Sequence, residues 1–268
     1  MIRRIVVTAA GVLLAAGCTP AEVATPVIRT GSDIRLPLDE YLLTDEQIQL
    51  ISSAHTVLGR RCLARLGLRW PKPEPSAEAV PEPRNARRYY VLELDEARAR
   101  GYRAARPQRP SVVGEEPDPE AVAAWTREGG CAVKASRALS VGGSGVDPQV
   151  LQLQTFSRMQ TDARVHEAND RWSRCMRDAG YTYPDPETAD SDPRWTQTPD
   201  ATPVEIATAT ADVLCKQRTR LPDTMFAVET ALQEEVVAQN RAGLLDVRAT
   251  NQAALDRAGR ILAAAERG

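Results

Sequence analysis

The sequence predicts an all-α fold: a pseudo-duplicated, disulfide-linked helical body that ends in a long C-terminal helix. Three observations carry this expectation. Aromatic residues are only 4% of the chain, with two Phe, too few for a sandwich or barrel built on aromatic and β-branched strands. Ala, Arg, Glu, Gln and Leu, which favour helices, dominate instead. Two cysteines, Cys62 and Cys175, are set in two copies of one short segment, each after a stretch whose apolar residues recur every three or four positions, and each has one further cysteine downstream.

The elements follow in chain order. Residues 1–17 read as a secretory signal peptide: Arg3 and Arg4, then an apolar stretch from Ile5 to Gly17. A signal needs a basic start, a short apolar run and small residues at the cut, whereas a membrane-spanning helix needs about 20 apolar residues. The run Leu13-Leu14-Ala15-Ala16-Gly17-Cys18 resembles the lipobox of bacterial lipoproteins, although Leu14 stands one place further from the cysteine than is usual there. The resemblance implies that Cys18 becomes a lipidated mature N-terminus, held to the membrane by two or more acyl chains. Arg3-Arg4 also hints at twin-arginine export, but Ile2 and Val6-Val7 fit that motif poorly. Residues 18–40 are polar, contain Pro and Thr, show no period, and read as a flexible tether.

The first repeat is expected over residues 41–140. Thr44-Asp45-Glu46-Gln47 forms a capping box. Ile48, Ile51, Leu58, Cys62 and Leu66 follow at helical spacing, Gly67 stops the helix, and Pro71 prevents its continuation. Proline-rich loops are expected at 71–83 and 103–118. Between them Tyr89 to Leu92 reads as a short strand or helix entry, and Leu94 to Arg100 as a helix ending at Gly101. Pro119 to Trp125 opens a further helix that must bend or stop at Gly129-Gly130, and Ala132 to Leu139 continues helically. Residues 141–147 form a Gly-rich joint.

The second repeat is expected over residues 148–268. Asp147-Pro148 caps one long helix running to Gly180, with Val165, Ala168, Trp172, Cys175 and Ala179 on one face. Residues 184–203 read as a loop, and Pro203 to Arg218 as a helix carrying Cys215. From Asp223 the apolar spacing runs almost to the end without proline, as one helix of about 40 residues or two with a kink near Gly243.

The cysteines expose the duplication. Arg61-Cys62-Leu63 runs on to Gly67-Leu68-Arg69-Trp70-Pro71-Lys72-Pro73, and Arg174-Cys175-Met176 to Gly180-Tyr181-Thr182-Tyr183-Pro184-Asp185-Pro186, offset by 113 residues. Outside the cytoplasm an even number of cysteines reads as disulfides. With Cys18 set aside for the lipid, four of the five cysteines remain and allow three pairings, and a repeated unit selects the pairs within each repeat, Cys62 with Cys131 and Cys175 with Cys215. Zinc-type C-x-x-C spacing is missing, and no cofactor signature appears.

Lys and Arg number 34 against 36 Asp and Glu, and loss of Arg3 and Arg4 with the signal makes the mature chain more negative still. No basic patch survives in the sequence, which argues against nucleic acid as a partner. The candidate ligand-facing residues are the repeated aromatics Trp70, Tyr181 and Tyr183, which would present rings to a glycan or peptide or else pack over their own disulfides. His55 sits near the apolar face of the first helix and reads as structural. His166-Glu167 begins like a zinc-protease helix, but position 170 is Asp. Ser144 lies among glycines without the glycine that a nucleophile elbow requires, and Asp185, Glu187, Asp190 and Asp192 form an acidic loop without EF-hand order. No catalytic set emerges.

With the lipobox, the two cysteine segments, Gly129-Gly130-Cys131 and the run Ala211-Asp212-Val213-Leu214-Cys215-Lys216 in view, the chain resembles secreted lipoproteins of actinobacteria, a group that lends no transferable activity. The resemblance implies a protein on the outer face of the cell membrane, anchored by lipid on Cys18, with an envelope protein or the cell wall as partner. The expected role is a non-enzymatic binding or structural module. The alternative is an extracytoplasmic hydrolase or cell-wall-modifying enzyme using the loop carboxylates.

Overall fold

A computed structural model describes residues 26–71, 84–103, 116–140 and 145–267. Cys18, the Gly-rich residues 141–144 and most of both proline-rich loops therefore lie outside the described residues. The described chain is all-α with a long C-terminal helix, and the disulfides join Cys62 to Cys131 and Cys175 to Cys215. No helix among the described residues is long and apolar enough to cross a membrane.

Among the described residues ten α-helices follow in order: α1 Asp45–Ala64, α2 Leu94–Arg100, α3 Pro119–Thr126, α4 Cys131–Leu139, α5 Pro148–Gln160, α6 Ala163–Asp178, α7 Pro186–Asp190, α8 Pro203–Thr219, α9 Leu221–Gln239 and α10 Arg241–Glu266. Their starts are written in side chains that satisfy free helix N–H groups. Thr44 accepts from Gln47 N while Gln47 Oε1 accepts from Thr44 N, closing the capping box of α1. Asp118, Asp147, Asp162, Asp185 and Thr202 each accept from a first-turn N–H of α3, α5, α6, α7 and α8.

Both cysteine segments end their helices in one geometry. Gly67 (φ 75°) and Gly180 (φ 91°) adopt the left-handed conformation that favours glycine. The residues after them close matching six-to-one bonds, Leu68 N to Leu63 O at 3.0 Å and Tyr181 N to Met176 O at 2.9 Å. Beyond these caps the halves diverge. Cys131 is the first residue of short α4, whereas Cys215 lies near the end of α8.

The packing crosses the expected repeat boundary in both directions. α10, from the second half, packs along α1, with Ala258, Ile261 and Leu262 against Ala54, Ile51 and Leu58. Residues 84–103, from the first half, enter the main core. There Tyr89, Val91, Leu92, Ala97 and Tyr102 are buried with Trp172, Met176, Val213 and Leu221 of α6, α8 and α9. The halves expected at 41–140 and 148–268 thus pack against each other across residues 141–147, and α9 gives way to α10 at Asn240.

Three further expectations are corrected. Residues 26–40 of the supposed tether are packed: Ile28, Ile34, Leu36 and Leu38 are buried. This arm runs along α9, with Ile28 N donating to Asp223 Oδ1 at 2.8 Å and Leu38 N to Gln233 Oε1 at 3.0 Å. The two bonds share one sequence offset, so arm and helix run in the same direction. The single helix expected over 148–179 breaks at Thr161-Asp162, where Asp162 starts α6 by accepting from Arg164 N at 2.9 Å. The loop at 184–203 contains α7 and a 3-10 turn, Pro193–Thr196, each opened by an Asp-Pro pair.

Candidate functional site

The repeated aromatics separate in the structure. Trp70 is half-buried and stacks on Trp125 of α3, ring centroids 4.8 Å apart. Both rings pack against Cys62, Leu63, Ala124 and Cys131, roofing the first disulfide. Trp125 also takes the edge of His55 at 5.6 Å. A surface pocket of about 640 Å³ opens beside Trp70, lined by Leu68, Arg69, Pro71, Glu116 and Asp118. Tyr181 is half-buried against the main core. Tyr183, expected as a ligand-facing ring, is instead 7% exposed. Its hydroxyl donates to Asp192 Oδ2 at 2.8 Å and receives Arg194 at 2.6 Å. Burial, with the Asp192 carboxylate beside it, pushes this phenol up to about 12.

The acidic loop is consumed by structure. Asp185 caps α7 through Thr188 N, and Asp192 caps the following turn through Arg194 N while pairing with the Arg194 guanidinium. Glu187 accepts from Gln160. Asp190 faces Arg87 at 3.7 Å. Among the described residues no group of three or more His, Cys, Asp and Glu is placed to hold a metal ion. His55 Nε2 lies 3.0 Å from Ala132 O and 3.1 Å from Ser136 Oγ. A nitrogen that donates its proton to the Ala132 carbonyl is no base for Ser136, and Ser136 sits inside α4, where the backbone N–H groups are committed to the helix. The pair ties α1 to α4. His166 is exposed on α6.

The most unusual chemistry lies inside the main core, at residues the sequence reading did not single out. Asp212 and Lys216, one turn apart on α8, are almost wholly buried and pair at 2.8 Å. Trp172 Nε1 donates to the other Asp212 oxygen at 2.9 Å. The Lys216 ammonium also donates to Val91 O at 3.0 Å and stands over the Tyr90 ring. Burial raises the Asp212 carboxyl above its ordinary value while the Lys216 charge opposes the rise. Asp190 is raised in the same way, with Lys216 and Arg87 opposing. Tyr102, buried near Asp212, has its phenol pushed far up by burial first and by that carboxylate second.

Two parallel arrangements flank this cluster. Glu205 of α8, fully buried, pairs with Arg103 at 3.1 Å and accepts from Tyr102 N at 3.3 Å. Glu229 of α9, also fully buried, pairs with Arg88, accepts from Tyr89 Oη at 2.9 Å, and takes Gln233 Nε2 at 3.0 Å. Asp212, Lys216, Glu205 and Glu229 thus all meet the segment 84–103, whose residues outside α2 have no regular structure to satisfy their polar groups. The interior polar set is a strapping system for an inserted segment. Its only advance signal was the run Ala211–Lys216, where an acid and a lysine four apart stand among apolar residues. The chain matches no protein-family model, no curated protein and no solved structure, so its functional reading rests on this geometry and on the sequence.

Proposed function

We propose that this chain is a lipid-anchored protein of the outer face of the cell membrane, acting as a non-enzymatic binding or structural module of the envelope. The observation that carries the reading is the coincidence of two disulfides in the folded body with a signal and lipidation segment ahead of it. Disulfides persist in oxidising compartments, and the leader supplies the route to one. Support for a binding or structural role comes from how the reactive side chains are used. Asp212, Lys216, Glu205 and Glu229 pair with each other or with residues 84–103, and in the acidic loop Asp185 and Asp192 serve as helix caps. The half-buried Trp70 beside its pocket is the ring best placed to meet an envelope partner.

The direct test is the mature N-terminus. Metabolic labelling with radioactive palmitate should tag the wild-type protein and leave Cys18→Ala unlabelled, and the N-terminal peptide should carry a diacylglyceryl mass on Cys18. An unmodified N-terminus at another residue would overturn the anchor. Crosslinking in living cells then identifies the partner.

A further inference from the structure

The packed arm changes what a lipid on Cys18 can do. Only nine residues lie between Cys18 and Ile28, a reach of about 35 Å at full extension. α9, along which the arm lies, is about 28 Å long. The end of the body that holds Ile28 is therefore kept near the anchor. That end is the start of α9, where Asp223 takes Ile28 N and Arg220 together.

A run of arginines is brought together there. Arg220, its side chain 54% exposed, pairs with Asp223. Arg29 follows Ile28 and is exposed. Arg218 reaches Cys175 Sγ at 3.9 Å across the second disulfide, and Arg174 adjoins that cysteine, with Arg171 one turn back on α6. The Trp172–Asp212 and Cys175–Cys215 contacts share one sequence offset, so α6 and α8 run parallel and deliver their C-terminal ends to this place. Asp33, Asp170 and Asp178 are the exposed acids nearby, and Asp223 is buried and neutralised by Arg220. Arg218 also answers the partial negative charge at the end of α8, but Arg29 and Arg171 lie outside any last helical turn.

We propose that this arginine-bearing end is the membrane-facing surface of the protein and that it binds anionic phospholipid headgroups, fixing how the body stands on its anchor. The inference rests on the lipid-anchor reading for its orientation. Its binding component is tested without the lipid, so the two fail separately.

The probe is the chain from Thr19 to its end, which contains every described element, floated with vesicles of phosphatidylcholine alone or mixed with phosphatidylglycerol. Binding is expected only to the mixed vesicles and only at low salt. An arginine at an anionic surface is worth about five-fold in partition, so Arg29→Gln/Arg174→Gln/Arg218→Gln should lower binding by about ten-fold or more. A comparable arginine set stands at the end of α1, in a core cluster separate from the one that holds the start of α9, so Arg61→Gln/Arg65→Gln/Arg69→Gln is the matched control and should change binding less than about two-fold. Unchanged urea midpoints establish that both variants are folded. Equal losses in the two triples, a larger loss in the α1 triple, or no binding to mixed vesicles would overturn the proposal. A native protein without lipid on Cys18 would instead remove the anchor while leaving the vesicle result intact.

Discussion

At the scale of single residues, the decisive feature is the pair Asp212–Lys216. Both side chains are out of water, so each is tolerable only because of the other and of Trp172 and the Val91 carbonyl. Lys216→Met should strand the Asp212 carboxylate and cost about 3–5 kcal/mol. The double variant Asp212→Leu/Lys216→Met removes the need for pairing and should cost clearly less than the single one. Urea midpoints of the two read this out, and a double variant as damaged as the single one would mean that the pair is not acting as a unit. The sequence could not announce this role, because an acid and a lysine four apart are also the ordinary furniture of an exposed helix face. Only the insertion of residues 84–103, a long-range event, turns that spacing into an interior contact.

Individual elements were legible where the signal is local. The Thr44 capping box, the glycine stops at Gly67, Gly101 and Gly180, and the starts of α3, α5 and α8 at Asp-Pro or Thr-Pro were readable because a few neighbouring groups decide them. The cysteine pairing followed from the repeated segment, and its two matching helix caps are real. The break at Thr161-Asp162 was hidden, since neither glycine nor proline marks it and the flanking residues are good helix formers. The arm carries a readable signal: Ile34 and Leu36 flank exposed Arg35, the period of an extended stretch with one buried face, before Pro37 opens the 3-10 turn that holds Leu38. α1 offers a test in which local preference and packing oppose each other. Ala at position 59 would raise helix propensity by about 1 kcal/mol, but its Cβ would lie 2.1 Å from the Trp125 ring. Gly59→Ala should therefore destabilise by about 1–3 kcal/mol and disturb the Trp70–Trp125 stack, visible in near-ultraviolet circular dichroism. A variant more stable than the parent would show that Trp125 yields freely.

At the scale of the whole molecule, the two disulfides are unequal although the chain they close is similar in consequence. They span 69 and 40 residues, and chain entropy alone assigns each about 4 kcal/mol. Their surroundings differ. Cys62–Cys131 stands in a small cluster with Leu63, Ala124 and the two tryptophans, whereas Cys175–Cys215 lies within the main core. Replacing Cys62 and Cys131 by Ser should free α3 and α4 to open without the rest, so that their amides exchange hydrogen faster than the main core. Replacing Cys175 and Cys215 should lower protection throughout the main core together. Hydrogen exchange in the native state distinguishes these outcomes, and a uniform loss in both variants would mean that the two disulfide-bearing clusters unfold as one.

The arm also decides how the body responds to being pulled. A load on the N-terminus enters the fold at Ile28 and meets the Asp223 bond first. It must then pull Ile28, Ile34 and Leu36 from the main core before the bond from Leu38 to Gln233 is strained. The 3-10 turn at Gly31–Asp33 divides that sequence into two stages, and Gly31 sits so close to Ala86 that no larger side chain fits there. The first dozen described residues thus form a graded clasp that gives way in steps, and the helices behind it stay unloaded until the last step is spent.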